Sequence, residues 1–217
     1  MKTKTNWKNH LIELIVVFLG ITAAFTLNSW KENSNKTELK EEYIKSFIQD
    51  LEEDKNKLEN LIKFENDKII RFTNYLNQAG SIKDWDKDSL VIIISDMMRL
   101  NAFIPSNVTY ETIKNSGQMV LFSDYSQKRA IVNYYQMCEG LKYQESINFD
   151  WINDYGLPFV NKNLDFQKLT FTKKFDSVSL EFKNLIFGHQ LQLKSKIELY
   201  KRQLIELEKF RNILNSK

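Results

Sequence analysis

The stretch Leu11-Ile12-Glu13-Leu14-Ile15-Val16-Val17-Phe18-Leu19-Gly20-Ile21-Thr22-Ala23-Ala24-Phe25-Thr26-Leu27, bracketed by Trp7 and Trp30, decides how the chain is read. It contains no proline and a single charge, Glu13. It reads as one membrane-spanning helix over residues 11–30, behind an N-terminal tail over residues 1–10. The apolar run is shorter than the usual ~20 residues. The 23 steps from Trp7 to Trp30 nevertheless cover about 34 Å as helix, close to the ~30 Å hydrocarbon thickness. Indole rings favour the two interfaces, so this is the spacing of an aromatic belt. Eleven strongly apolar residues supply roughly −3 to −7 kcal/mol for insertion, against at most about 3 kcal/mol for Glu13 near one end. A cleaved signal peptide is the rival, with Lys2, Lys4 and Lys8 as its basic region, but Thr22-Ala23-Ala24 is a poor exit. A buried core helix is the third reading.

Within this run Glu13, Gly20 and Leu27 recur by sevens, and Ala23 and Ala24 flank Gly20, so they share one helix face. Gly20-x-x-x-Ala24 is a small-xxx-small pair that lets a second helix approach closely. Glu13, Gly20 and Ala24 are therefore the candidate helix-association face. The simpler account of Glu13 is that it snorkels to the interface beside Lys8, Asn9 and His10.

Residues 31–217 form one soluble helical-bundle domain, large enough for a real core. Two prolines and six glycines in 217 residues argue for long uninterrupted helices. The expected fold is all-α: an N-terminal transmembrane helix, then an elongated bundle with two long coiled-coil-like helices. The formal charge of +3, with both signs interspersed, describes a solvated surface and argues against nucleic acid as a partner. The single cysteine, Cys138, forms no internal disulfide.

After a polar stretch at Asn33-Ser34-Asn35, read as a short break or a frayed part of one continuous helix, the first long helix runs over about 36–78. Its seam steps through Ile44, Ile48, Leu51, Lys55, Leu58, Ile62, Glu65, Ile69, Phe72 and Leu76, a heptad pattern interrupted by Lys55 and Glu65, which fix register. The second covers about 177–215, opened by Asp176 or Ser177, with Ile186, Leu193, Ile197, Tyr200, Leu204, Leu207 and Leu214 at the same spacing. Matched lengths predict antiparallel partners. Central short helices fill about 88–155. Asp88 or Ser89 caps one through Leu100, and Pro105-Ser106 opens another to Ser116 with Gly117 as its left-handed end. Ser123 or Asp124 caps the next. Gly156-Leu157-Pro158 is expected to end the segment that follows, and Phe159 to Phe175 to run as an extended loop packed by aromatics.

Three pieces of the chain carry a family likeness: Glu13 and Gly20 followed by Asn28-Ser29-Trp30-Lys31-Glu32; Thr109-Tyr110-Glu111-Thr112-Ile113-Lys114-Asn115-Ser116-Gly117 with Leu121-Phe122 and Tyr134-Tyr135; and Glu181-Phe182-Lys183-Asn184-Leu185. On these the chain resembles an uncharacterised family of single-span, helix-rich proteins found mainly in Bacteroidota, the domain of unknown function 6090. Members usually carry a second Asn where Ser29 stands. The resemblance implies a membrane-anchored helical domain in a bacterial envelope and brings no activity, substrate or catalytic residue.

The residues themselves offer no catalytic constellation, so a non-enzyme without cofactor or metal is expected. Cys138 lies among apolar helix positions, as structural cysteines do. His189 has no Glu three or four residues away, so the bundle metal motif is missing. Asp84-Trp85-Asp86-Lys87-Asp88 begins like a calcium loop, but Ser89 and Ser95 stand where Gly and Glu are needed. Asp50, Glu53 and Asp54, beside Lys55 and Lys57, read as a solvated face. Tyr110 and Ser116, with Tyr134 and Tyr135 opposite, are the candidate groove; the plainer reading is that these aromatics fill the core. The expected role is a protein-interaction or scaffolding component anchored in the lipid bilayer by one span, acting through a protein partner or self-association. A small-molecule sensor is the alternative and an enzyme the last. The acid-balanced stretch after the span tilts towards the inner membrane with the domain in the periplasm.

Overall fold

The structure is a computed structural model that describes residues 7–78, 87–172 and 179–216. One helix dominates it: α1 spans Trp7–Gln78, 72 residues, roughly 110 Å of unbroken helix. Asn33-Ser34-Asn35 does not interrupt it. The turn there is supported by Lys36 donating to Glu32 at 2.6 Å and by the Thr37 hydroxyl donating to the Asn33 carbonyl at 2.9 Å, so the i→i+4 partners that a helix needs are present.

Next come α2 (Lys87–Met98), α3 (Val108–Asn115), a 3₁₀ turn (Gln118–Leu121), α4 (Tyr125–Trp151), a π turn (Ile152–Gly156) and α5 (Leu157–Asn163). A two-residue antiparallel pair, β1 (Leu164–Asp165) with β2 (Thr170–Phe171), precedes α6 (Ser179–Asn215). The fold is all-α, as the sequence predicts. Gly117 holds φ +71, the left-handed conformation that stops α3. Asp124 caps α4, its carboxylate accepting from the Ser126 amide at 2.7 Å. The caps expected at Asp176 or Ser177, and most of the Asp84–Asp88 run, lie outside the described residues.

Two expectations for the middle of the chain fail. Gly156-Leu157-Pro158 does not end a helix: Gly156 is helical at φ −68, and the chain stays helical from Tyr125 to Asn163. A proline inside an α-helix loses one bond and clashes with the carbonyl four residues back. Here the wider π turn ends at Gly156, and Pro158 follows Leu157 in the first turn of α5. Nor is Phe159 the start of an extended loop. It lies in α5, stacked on Phe182 with ring centroids 5.4 Å apart, and Phe171 meets Phe182 edge-on at 5.5 Å.

The long helices pack as a bundle. Contacts between α1 and α6 step in opposite directions along the two: Tyr75 with Phe182, Thr73 with Gln190, Glu65 with Lys196, Lys55 with Glu208, Phe47 with Phe210. They are antiparallel, and α6 ends beside the part of α1 nearest the apolar run. Helix α4 is antiparallel to α6, with Tyr134 near Gln203, Glu145 near Tyr200 and Trp151 near His189.

The core-facing row of α1 is Phe47, Leu51, Asp54, Leu58, Leu61, Glu65, Lys68, Phe72 and Tyr75. Its steps alternate four and three, the heptad interval. The row expected from the sequence shares only Leu51, Leu58, Glu65 and Phe72. A row chosen for apolar content slides off Asp54 and Lys68 onto the flanking, half-buried Ile48, Lys55, Ile62, Ile69 and Leu76. The bundle thus has two hydrophobic cores, one around Phe47, Leu58, Tyr134, Leu207 and Phe210, the other around Phe72, Leu90, Phe159, Phe182 and Leu193. A polar layer separates them.

Candidate functional site

The first candidate face lies on bare helix. Every residue from Trp7 to Glu38 whose side chain is described is exposed, and none of the apolar window is buried. A Cβ at Gly20 would meet nothing within 4 Å. Ala24 is one turn further along the same open face. Glu13 lies 3.3 Å from His10 Nδ1, so it leans towards the N-terminal end. The hydroxyls of Thr22 and Thr26 each donate to the carbonyl four residues back at 2.8 Å. Such internal pairing is what polar groups need in hydrocarbon.

The second candidate set is partly assembled. Tyr110 stacks on Tyr135 with centroids 4.2 Å apart, and Tyr134 meets Tyr135 edge-on at 5.2 Å. Tyr134 and Tyr135 are core residues whose hydroxyls are bonded: Tyr134 donates to Asp54 Oδ2 at 2.8 Å, Tyr135 to the Ser106 carbonyl at 3.0 Å. Burial pushes both phenols well above the ordinary tyrosine range. Ser116 is exposed and donates instead to the Thr112 carbonyl of its own helix at 2.7 Å.

In residues 99–106, between α2 and α3, only the Arg99 amide keeps a helical partner, the Ser95 carbonyl at 2.9 Å. This strap runs along α1, and ionisable side chains take up its polar atoms. Lys68 donates to the Arg99 carbonyl. Lys196 donates to the Asn101 carbonyl at 2.6 Å, and the Phe103 amide donates to Glu145 at 2.8 Å. Lys57 donates to the Ile104 carbonyl at 3.1 Å, and the Ser106 amide donates to Asp54 at 2.7 Å. A buried peptide group without a partner costs of order 1–3 kcal/mol, so these residues do for the strap what a neighbouring strand does in a sheet. Asp54 is therefore no solvated residue. Its side chain is fully buried and accepts from Ser106, Tyr134 and Lys57.

The polar layer is the centre of this arrangement. Glu65, Lys68 and Lys196 are buried among both cores. Lys196 donates to Glu65 Oε1 at 2.8 Å; Lys68 Nζ lies 3.3 Å from Glu65 Oε2, an ion-pair distance without a hydrogen bond. Glu145 accepts from Tyr200 as well as from Phe103. Burial pulls the Lys68 ammonium below its usual range, with Glu65 opposing, and raises the Glu145 carboxyl, with Tyr200 and Phe103 opposing. His189 lies beside this layer, fully buried between Phe72 and Trp151, with neither ring nitrogen hydrogen-bonded. Burial first, then Lys68 and Lys196, pull its pKa down to about 3. It is a neutral core histidine at physiological pH. Cys138 is likewise buried, its thiol pushed up to about 12 mainly by burial, and Gln203 Nε2 approaches Sγ at 3.1 Å. A thiol so protonated is a poor nucleophile. Among the described residues, no group of three His, Cys, Asp or Glu side chains is placed to hold a metal ion.

Sequence reasoning missed Lys68, Lys196 and Glu145 and misassigned Asp54. One signal was available: Asp54, Glu65 and Lys68 fall on a single four-three row with Phe47, Leu58 and Phe72.

Beside the strap lies a groove of about 590 Å³, with Lys57, Asn60, Leu61 and Phe64 of α1 on one side and Arg99, Asn101, Ala102 and Ile104 on the other.

The model of a family described as "Family of unknown function (DUF6090)" matches residues 13–196, and the chain belongs to that family. The match opens at Glu13 and closes at Lys196 of the polar layer. No curated protein and no solved structure matches the chain.

Proposed function

We propose that this member of the family is a membrane-anchored helical bundle that works by holding an interaction surface at a fixed height above a bacterial inner membrane. The supporting observation is the continuity of α1, which carries an uncovered apolar run directly into a packed bundle. Between Trp30 and Tyr43 the helix advances about 20 Å, and its side chains stay exposed up to Glu38. The span acts as an anchor, and the helix beyond it as a rigid stalk. Glu13, Gly20 and Ala24 form the face through which a second helix, from another copy or from a partner protein, packs in the bilayer. The bundle faces the periplasm, and the chain performs no catalysis.

Association state tests this reading. The protein in mild detergent is expected as an oligomer or as a complex with a membrane protein, and Gly20→Ile is expected to dissociate it. A monomeric protein that co-purifies with nothing from its native membranes would overturn the proposal. A reporter fused after Lys217 that is active only in the cytoplasm would overturn the orientation.

A further inference from the structure

The groove between α1 and the strap has features that neither the bundle's packing nor the anchor requires. Its floor and walls are largely apolar, from Leu61, Phe64, Ala102 and Ile104. Its volume falls within the ~300–1,000 Å³ typical of small-molecule sites. One wall is the strap, whose position is fixed by hydrogen bonds to Lys68, Lys196, Glu145, Lys57 and Asp54. The wall is preorganised, which lowers the ordering cost of binding.

The two cations at the groove differ. Lys57 spends its three protons on Asp54 at 3.2 Å, Ile104 at 3.1 Å and Ser106 at 2.8 Å. Arg99 has no carboxylate partner among the described residues. Its guanidinium lies 5.1 Å from the Phe64 ring centroid, and that ring also receives Lys68 at 5.0 Å. Phe64 thus holds an uncommitted, always-charged donor fork at the edge of an apolar trough, a geometry that suits a carboxylate held by two parallel bonds.

We propose that this groove binds a small organic carboxylate with an apolar body, Arg99 receiving the carboxylate and Leu61, Phe64, Ala102 and Ile104 enclosing the body. The site is independent of the association face in the span. Failure of either proposal leaves the other standing.

The test uses the full chain in phosphatidylcholine nanodiscs, with empty nanodiscs as the blank, titrated calorimetrically with three water-soluble probes that share one body: 4-phenylbutyrate, 4-phenylbutanol and 4-phenylbutylamine. Saturable binding is expected for the carboxylate, at least about tenfold weaker binding for the alcohol, and none for the amine, since a charge-assisted Arg–carboxylate pair is worth about a decade or more in affinity. Arg99→Gln is expected to bring the carboxylate down to the level of the alcohol. Ala102→Trp, which fills the trough without touching a charge, is expected to abolish binding of both. Arg129→Gln, an exposed arginine on α4, is expected to change nothing. Equal binding of carboxylate and alcohol, or unchanged binding in both Arg99→Gln and Ala102→Trp with the melting temperature preserved, would overturn the proposal.

Discussion

The two halves of α1 are one continuous helix built by opposite rules. From Trp7 to Glu38 the helix is uncovered, and its charges are few within the apolar run. From Leu39 onwards it is covered on one face by α4, α6 and the strap, and that buried face carries Asp54, Glu65 and Lys68. Apolar residues lie outside in the first half, and charges lie inside in the second. Each half makes a different demand on its surroundings. A bilayer suits bare apolar side chains on a helix whose backbone is internally bonded. A packed interior suits charges only when every one has a partner. Local hydrophobicity therefore marks the uncovered run in the first half and misreads the buried face of the second.

The largest expected effect lies in the polar layer. Lys196→Met leaves Glu65 and the Asn101 carbonyl short of their donor, and is expected to cost about 3–5 kcal/mol. Adding Glu65→Leu alone would strand the buried Lys68, so the relieving variant also carries Lys68→Met; this triple variant should return much of that, with a residue of about 1 kcal/mol for each lost strap bond. Chemical denaturation of both variants in the same detergent measures the difference. A triple variant as unstable as the single one would mean that the strap bonds, rather than the orphaned charge, dominate.

The next effect is acid sensitivity of the covered half. His189 has a pKa of about 3 in the fold against ~6.5 unfolded. The unfolded chain therefore binds the proton first as pH falls. Stability from this group is complete above pH 6.5 and is lost progressively down to about pH 3, by roughly 4–5 kcal/mol at the limit. Melting temperatures from pH 7 to pH 4 should fall less steeply in His189→Gln than in the natural chain. Equal slopes would mean that His189 finds a partner on protonation.

The glycines sharpen the comparison directly. A Cβ on Gly188 would approach Trp151 Cζ2 at 2.7 Å, so Gly188→Ala is expected to destabilise the bundle by about 1–3 kcal/mol. The same substitution at Gly20 meets nothing within 4 Å and is expected to leave bundle stability unchanged. Under the proposed association through the span, its consequence is weaker self-association or partner binding, measured by crosslinking or by sedimentation in detergent. A drop in bundle melting on Gly20→Ala would show that the halves are mechanically coupled along α1.

Much of the fold follows from residues whose effect is local. The run from Leu11 to Leu27 declares itself by composition. Gly117 stops a helix because it reaches positive φ without cost, and Asp124 starts one because its carboxylate reaches the Ser126 amide. The two long helices are visible in their heptad spacing. Pro158 misled for the same reason these succeeded: a local rule was applied, and the π turn that accommodates the proline is a property of the whole segment from Tyr125 to Asn163.

The buried charges are a different matter. Asp54 next to Lys55 and Lys57 has the composition of a solvated turn of helix, and only its place on the four-three row with Phe47 and Leu58 points inward; Lys196 looks like one lysine among many on α6. Each becomes a buried hydrogen-bonding group only once the strap, which has no neighbouring strand, is laid against α1 and must find partners for its peptide groups. By itself the sequence determined the all-α class, the helix ends set by Gly117 and Asp124, and the apolar run, because those depend on neighbours within a few residues. Only the tertiary structure decided which charges are interior and where the groove opens, because the cost of burying a polar group is set by partners far away along the chain.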